Sequence, residues 1–179
     1  MISFSLKDIL DAREERWLRR LELSKRGALL TLTLNIPGPD KNPPRWNEVH
    51  ELAAGEIKDA LKGHIIYIDE RKTPGGLESH FVTDMSPLEL KRYAVSFEEN
   101  HPIGRLLDAD VMDGKGNQID RKSLGLSSRR CLCCDKEAKV CSREKRHSIE
   151  EIFSRAEHMI SKLDSARDAK TRETALRRY

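Results

Sequence analysis

Apolar residues recur at helical spacing over residues 5–24, where Ile9, Leu10, Trp17, Leu18 and Leu21 form a stripe among charged neighbours. Ser5 can cap this helix, with Asp8 at the position where a capping box more usually carries Glu or Gln, and Gly27 stops it. The period then drops to two. From Ala28 to Ile36, Leu30, Leu32 and Leu34 alternate with Thr31, Thr33 and Asn35, the pattern of a half-buried strand. Pro37-Gly38-Pro39 ends the strand, and the polar, proline-rich run to Pro44 reads as a loop. Helical spacing returns between Asn47 and Lys62, with Val49, Leu52, Ala53, Ile57, Ala60 and Leu61 facing inward and Gly63 closing the helix.

Shorter elements follow. His64 to Asp69 reads as a buried strand, Thr73-Pro74-Gly75-Gly76 as a turn, and Glu78 to Thr83 as the returning strand. Ser86-Pro87 opens a third helix through about Glu99, because proline suits the first helical position and Glu89 stands three residues after the cap. His101 to Asp113 reads as extended, followed by a hairpin over Asp113 to Asn117 and a short return containing Ile119. Ser148 caps a last helix carrying Ile149, Ile152, Phe153, Ala156, Met159, Ile160 and Leu163. This order predicts an α+β fold, a mostly antiparallel sheet with helices packed on it. Nucleotidyltransferase-like palms share that outline, an analogy of fold alone. No repeat or linker divides the chain, so residues 1–164 read as a single domain that includes a Cys/His-rich segment, 129–147. Residues 165–179 read as a charged, solvated helical extension.

Composition narrows the setting. Of 179 residues, 37% are hydrophobic and 35% charged, with a net charge of +3. No apolar run approaches the ~18 residues a transmembrane helix needs, and the N-terminus lacks the basic start and apolar middle of a secretory signal. The expected setting is the cytoplasm, with no membrane partner. Aromatic residues are only 5% and no basic stripe carries them, which argues against nucleic acid. The basic residues gather at Arg121-Lys122, Arg129-Arg130, Arg143 to Arg146 and the last dozen positions. A polyphosphate substrate or an acidic protein partner suits the first two clusters.

Candidate chemistry centres on His101 to Asp113, HPIGRLLDADVMD. In an extended reading Leu107, Ala109 and Val111 point to the core, while Leu106, Asp108 and Asp110 point the other way. Two carboxylates roughly 7 Å apart along the backbone on one face can converge on a divalent cation, most naturally magnesium, which takes carboxylate and phosphate oxygens. Arg105 and His101 add positive charge beside them, completing the parts of a phosphoryl- or nucleotidyl-transfer site. The same Asp-x-Asp pattern also occurs as two solvated aspartates before a turn, and Asp113-Gly114 does follow. Gly75-Gly76 reads as a plain hairpin turn rather than a phosphate loop. All four cysteines lie between 131 and 141. Cys131, Cys134, Cys141 and His147 have a spacing that can close a tetrahedral zinc site; the alternative is a reduced cluster packed as ordinary core. Either way the block is structural and sets Arg129 and Arg130 near the substrate.

Gly104-Arg105-Leu106-Leu107-Asp108-Ala109-Asp110-Val111, preceded by His101-Pro102, resembles the signature of the holo-acyl-carrier-protein synthases of citrate lyase. Arg129-Arg130-Cys131 through Cys134, Cys141 and His147 resembles that family at matching spacing, although Cys133 departs from its pattern. Pro37-Gly38-Pro39 after a strand agrees in outline, and the likeness covers about residues 10 to 160. The resemblance implies a transferase whose donor is triphosphoribosyl-dephospho-CoA and whose acceptor is a serine on the citrate lyase acyl carrier protein, with release of pyrophosphate. It implies magnesium on Asp108 and Asp110, one of which takes the serine proton, and phosphate contacts from Arg105, Arg129 and Arg130. His101 either protonates the departing pyrophosphate or is structural. Asp84, Asp113 and Asp120 are open as third metal ligands. An acidic carrier would be steered by exposed basic residues, the tail from Ser165 among them. Two competing classes are a related transferase of the malonate decarboxylase type and a non-enzymatic, zinc-stabilised binding module.

Overall fold

The structure, a computed structural model, describes residues 4–176, with side chains through Ser165. Helix α1 (Leu6–Ser24) starts at Ser5, whose side chain and that of Asp8 complete the capping box reciprocally. Strand β1 (Ala28–Leu34) leads through the proline-rich loop to α2 (Pro44–Ala60). A hairpin follows, β2 (Ile65–Thr73) and β3 (Gly76–Thr83), and then α3 (Pro87–Asn100), capped by Ser86 and Glu89. Strand β4 (Leu107–Met112) pairs with a two-residue β5 (Gln118–Ile119). Beyond a 3-10 turn at Lys122–Leu124, a short helix α4 (Ala138–Arg143) precedes the long α5 (Ile149–Leu176).

The strands form one sheet in the order β2-β3-β1-β4-β5, with every pairing antiparallel. This is the α+β architecture that the alternation of periods predicts. One face carries Leu30, Leu32, Phe81, Leu107, Ala109 and Val111. They pack against Trp46, Val49, Ala53 and Ile57 of α2, Leu90 and Ala94 of α3, and Ala156 and Ile160 of α5. Each fully buried side chain of this size contributes about 1.5–3 kcal/mol, so this layer is the main core. Trp46 joins it by stacking on Phe153, with ring centroids 5.8 Å apart, and by donating its Nε1–H to Glu157 Oε1 at 2.6 Å.

The opposite face differs from the expectation of a half-buried β1. Helix α1 covers it, with Leu23 against Leu29, Val82 and Met112, so Thr31 is buried as well. Because directly opposed residues share a face, the register Asp69↔His80, His80↔Thr31, Thr31↔Asp110 makes a polar row across four strands. Helix α1 meets that row with arginines. Arg16 Nε lies 3.0 Å from Glu78, Arg19 Nε 2.8 Å from Asp69, and Arg20 Nη1 3.1 Å from Asp110. Counting apolar residues therefore picks the wrong stripe for α1. Ile9, Ala12, Arg20 and Leu23 are buried, whereas Leu10, Trp17 and Leu18 are exposed, since arginine can bury its stem when carboxylates wait for its head.

Two further elements shift. Strand β2 is an edge strand, longer and more exposed than His64–Asp69 predicts. The extended reading of His101 to Leu106 gives way to a tight turn. Gly104 N–H bonds His101 O at 2.8 Å, Leu106 N–H bonds Ile103 O at 2.8 Å, and Leu106 enters the core. Glycine is required at 104, because a Cβ there would stand 2.0 Å from Glu98 O.

Candidate active site

Strand β4 keeps the predicted alternation. Leu107, Ala109 and Val111 are buried in the main core, and Asp108 and Asp110 stand together on the other face. Among the described residues, the edge of β4 has no neighbouring strand beyond the two residues of β5, and two side chains of α3 complete its hydrogen bonds. Glu98 Oε1 accepts the Ala109 N–H at 2.9 Å and Lys91 Nζ donates to Ala109 O at 3.2 Å. A cavity of about 230 Å³ opens at this edge, lined by Lys91, Glu98, Asp108, Asp110, Arg121 and Arg129 and, toward its mouth, by Asp120, Lys122 and Lys139. A larger cavity, about 430 Å³, lies between α2 and the β2–β3 hairpin, lined by His50, Lys58, Glu70 and Arg71 among others. The smaller one contains the paired carboxylates, and chemistry rather than volume selects it.

The two aspartates are held differently. Asp110 accepts from Arg20 Nη1 on Oδ2 at 3.1 Å and from Gln118 Nε2 on Oδ1 at 2.8 Å. Among the described residues Asp108 forms one ion pair, a loose one with Arg129 Nη1 at 3.8 Å. Its side chain is 49% exposed, toward the cavity, while protein surrounds it elsewhere. That partial loss of water, reinforced by the neighbouring Asp110 charge and opposed by Arg129, pushes its carboxyl up to about 6. A second carboxylate left without a firm counter-charge is the donor set a divalent cation fits. The bonds to Asp110 leave lone pairs free and would orient it as an outer shell orients a metal ligand. Of the three candidate third carboxylates only Asp120 lines the cavity, where it also accepts the Ser123 N–H at 2.9 Å. Asp84 is paired with His64, and Asp113 closes its own hairpin through the N–H groups of Lys115 and Asn117.

The basic residues divide likewise. Arg129 reaches the cavity, its Nη2 donating to the carbonyls of Gly104 and Leu107 at 2.8 and 2.6 Å. Arg105 turns away from the aspartates and donates to the carbonyls of Arg130 and Cys131. The Arg130 side chain is exposed, 3.7 Å from Asp135, and does not line the cavity. His101 is not brought to the aspartates either. Its ring packs on Phe97, its Nε2 lies 3.0 Å from Glu56 Oε2, and its Nδ1 accepts the Ile103 N–H. Cys131, Cys134, Cys141 and His147 do converge, every ligand atom within 4.8 Å of the others.

With this geometry in place, comparison with known proteins is decisive. The family model described as apo-citrate lyase phosphoribosyl-dephospho-CoA transferase matches residues 4–163. The chain belongs to that family. A probable apo-citrate lyase phosphoribosyl-dephospho-CoA transferase of Streptococcus pyogenes serotype M18 is 41% identical over 157 residues, which is 84% of this chain and 82% of that protein. The apo-citrate lyase phosphoribosyl-dephospho-CoA transferase of Escherichia coli O7:K1 is 30% identical over 162 residues, 89% of this chain and 86% of that protein. A longer relative, the protein CitXG of Leuconostoc mesenteroides subsp. cremoris, is 33% identical over 172 residues, 91% of this chain but 36% of its own length.

In this member of the apo-citrate lyase phosphoribosyl-dephospho-CoA transferases, sequence reasoning finds Lys122 through its basic cluster but misses Lys91, Glu98, Arg20, Gln118 and Lys139. One signal is present for the first two. Lys91 and Glu98 sit on the inward stripe of α3 with Leu90, Ala94 and Val95, and charged residues at core positions of a helix need buried partners.

Proposed function

We propose that this chain transfers the phosphoribosyl-dephospho-CoA group from its triphosphate donor to a serine of the citrate lyase acyl carrier protein, as a metal-dependent, nucleotidyltransferase-type enzyme. The reading is supported above all by the Asp108–Asp110 pair lying in a cavity rimmed by cations, within a chain of this family. The serine oxygen forms a bond to the donor's α-phosphorus. The P–O bond to the β-phosphate breaks, its electron pair leaves on pyrophosphate, and the hydroxyl proton goes to a carboxylate.

Asp108 is the better proton acceptor of the two, because neither of its oxygens is committed to a firm hydrogen bond and its nearest cation, Arg129, stands 3.8 Å away. Asp110, fixed by Arg20 and Gln118, acts chiefly as an anchor. A magnesium ion held by the two carboxylates would neutralise triphosphate charge. Lys122 and Lys139 at the mouth are exposed and meet phosphate oxygens as point charges, while Arg129 presents its forked donors from the wall. Arg121 is tied to Glu98 and Glu99 and serves the wall rather than the substrate.

Pyrophosphate release from donor and apo carrier protein tests the assignment. Asp110→Ala is expected to lower turnover at least a hundredfold, roughly the several kcal/mol of charge stabilisation at such a centre. An unchanged rate removes the catalytic assignment.

A further inference from the structure

The cysteines and the histidine after Arg129 have no part in the proposed chemistry, yet four of their ligand atoms gather within 4.8 Å of one another. Its backbone forms a small knuckle. Cys131 N–H bonds Lys136 O at 2.7 Å, Ala138 N–H bonds Arg129 O at 2.8 Å, and Arg130 and Glu137 form an isolated bridge. The turn brings Cys131 and Cys134 to one side, α4 delivers Cys141, and the approach to α5 delivers His147. All four cysteines are free thiols, with Cys134 and Cys141 sulfurs 3.5 Å apart. Tetrahedral zinc with Zn–S near 2.3 Å separates its ligands by roughly 3.5–3.8 Å; the Cys134–Cys141 pair already has that spacing, and all four ligand atoms lie within 4.8 Å of one another.

The histidine adds an independent observation. Among the described residues His147 Nε2 is buried with no hydrogen-bond partner, while Nδ1 lies 3.0 Å from Glu151 Oε1. An orphaned ring nitrogen beside three sulfurs, with its other nitrogen held by a carboxylate, is how metal-bound imidazoles are oriented. The Cys133 N–H points to Cys131 Sγ at 3.5 Å, a backbone contact of the kind that supports a thiolate ligand. Cys133 itself belongs to a different grouping, with His147 and Glu151, which supplies three ligand atoms rather than four.

We infer that Cys131, Cys134, Cys141 and His147 hold a structural zinc ion, and that this ion fixes one wall of the aspartate cavity. Three thiolates and an imidazole select zinc over magnesium or calcium, which prefer oxygen ligands. Four protein ligands leave no open position, so the role is structural rather than catalytic. The wall follows from connectivity. Arg105 binds the carbonyls of Arg130 and Cys131, Arg129 binds the carbonyls of Gly104 and Leu107, and Ser128, Arg129, Ala138 and Lys139 line the cavity. The knuckle thus clips the cation-bearing wall to the turn that leads into β4.

Metal analysis of the full chain, after dialysis against a weak chelator, is expected to give one zinc per chain. Cys134→Ser and His147→Gln should lower that content at least tenfold, and Cys133→Ser should leave it unchanged. His147→Cys replaces the nitrogen by a fourth thiolate, so it should retain one metal and fold. Its cobalt-substituted form should show the tetrahedral visible bands shifted from those of wild type. With zinc bound, one thiol per chain should react quickly with a thiol reagent, and the other three only after strong chelation. Wild type without zinc or cobalt uptake, four thiols reacting at one rate, or equal losses in Cys133→Ser and Cys134→Ser would each overturn the site. None of these readouts depends on carrier or donor, so they stand apart from the fate of the proposed reaction.

Discussion

Replacing Asp108 by Asn should stabilise this protein while abolishing its turnover, and the stability gain should depend on pH. The carboxyl lies at about 6 in the folded state against 3.8 ordinarily. The folded chain therefore binds this proton more tightly than the unfolded chain does. Stability then falls as pH rises from about 4 to about 6, and the full penalty persists above that range. Raising the carboxyl from 3.8 to about 6 corresponds to about 3 kcal/mol, but the side chain is 49% exposed and solvent screening reduces this to about 1 kcal/mol. For a domain of this size, 1 kcal/mol moves the melting temperature by about 2–4 °C. Thermal melts of wild type and Asp108→Asn from pH 4 to pH 8, without divalent metal, should show a gap that opens through pH 6 and then stays level. Added magnesium should raise wild type and leave the variant unmoved, because the ion replaces the proton as the counter-charge. A gap that ignores pH, or a variant less stable than wild type at pH 8, would refute the account of Asp108.

Other outcomes follow from neighbouring contacts. Glu98→Ala should cost about 3 kcal/mol, because it strips the Ala109 N–H of its acceptor and Arg121 of a partner; Glu98→Gln keeps an acceptor and should cost less than half as much, both read by urea unfolding. Gly104→Ala should lower the melting temperature by several degrees and displace Arg129, since the new Cβ meets Glu98 backbone; an unchanged melt would show that the turn yields freely. His101→Gln should keep turnover within about threefold, because its ring is engaged with Phe97 and Glu56; a hundredfold loss in pyrophosphate release would return His101 to the chemistry.

The parts legible in the sequence are those governed by neighbours along the chain. Ser5 with Asp8 and Ser86 with Glu89 set helix starts locally, and period-two alternation put Asp108 and Asp110 on one face. What was hidden depends on partners distant in sequence. The arginines of α1 turn inward only because β2, β3 and β4 bring Asp69, Glu78 and Asp110 beneath them. An extended reading of residues 101–106 places Arg105 beside the aspartates, and the tight turn at Gly104 redirects it to the knuckle. Trp46 lay outside the predicted helix because prolines at 43 and 44 look like loop, yet proline also suits the first helical turn, and α2 begins there.

The brevity of β5 has a consequence for how such a site comes to exist. Were the ladder to continue past Ile119, the chain at 120–122 would lie against Ala109, evict Lys91 and Glu98 from its amide and carbonyl, and seal the opening. A sheet that zipped itself shut here would be tidier and would have no room for a guest. The unfinished margin is the doorway.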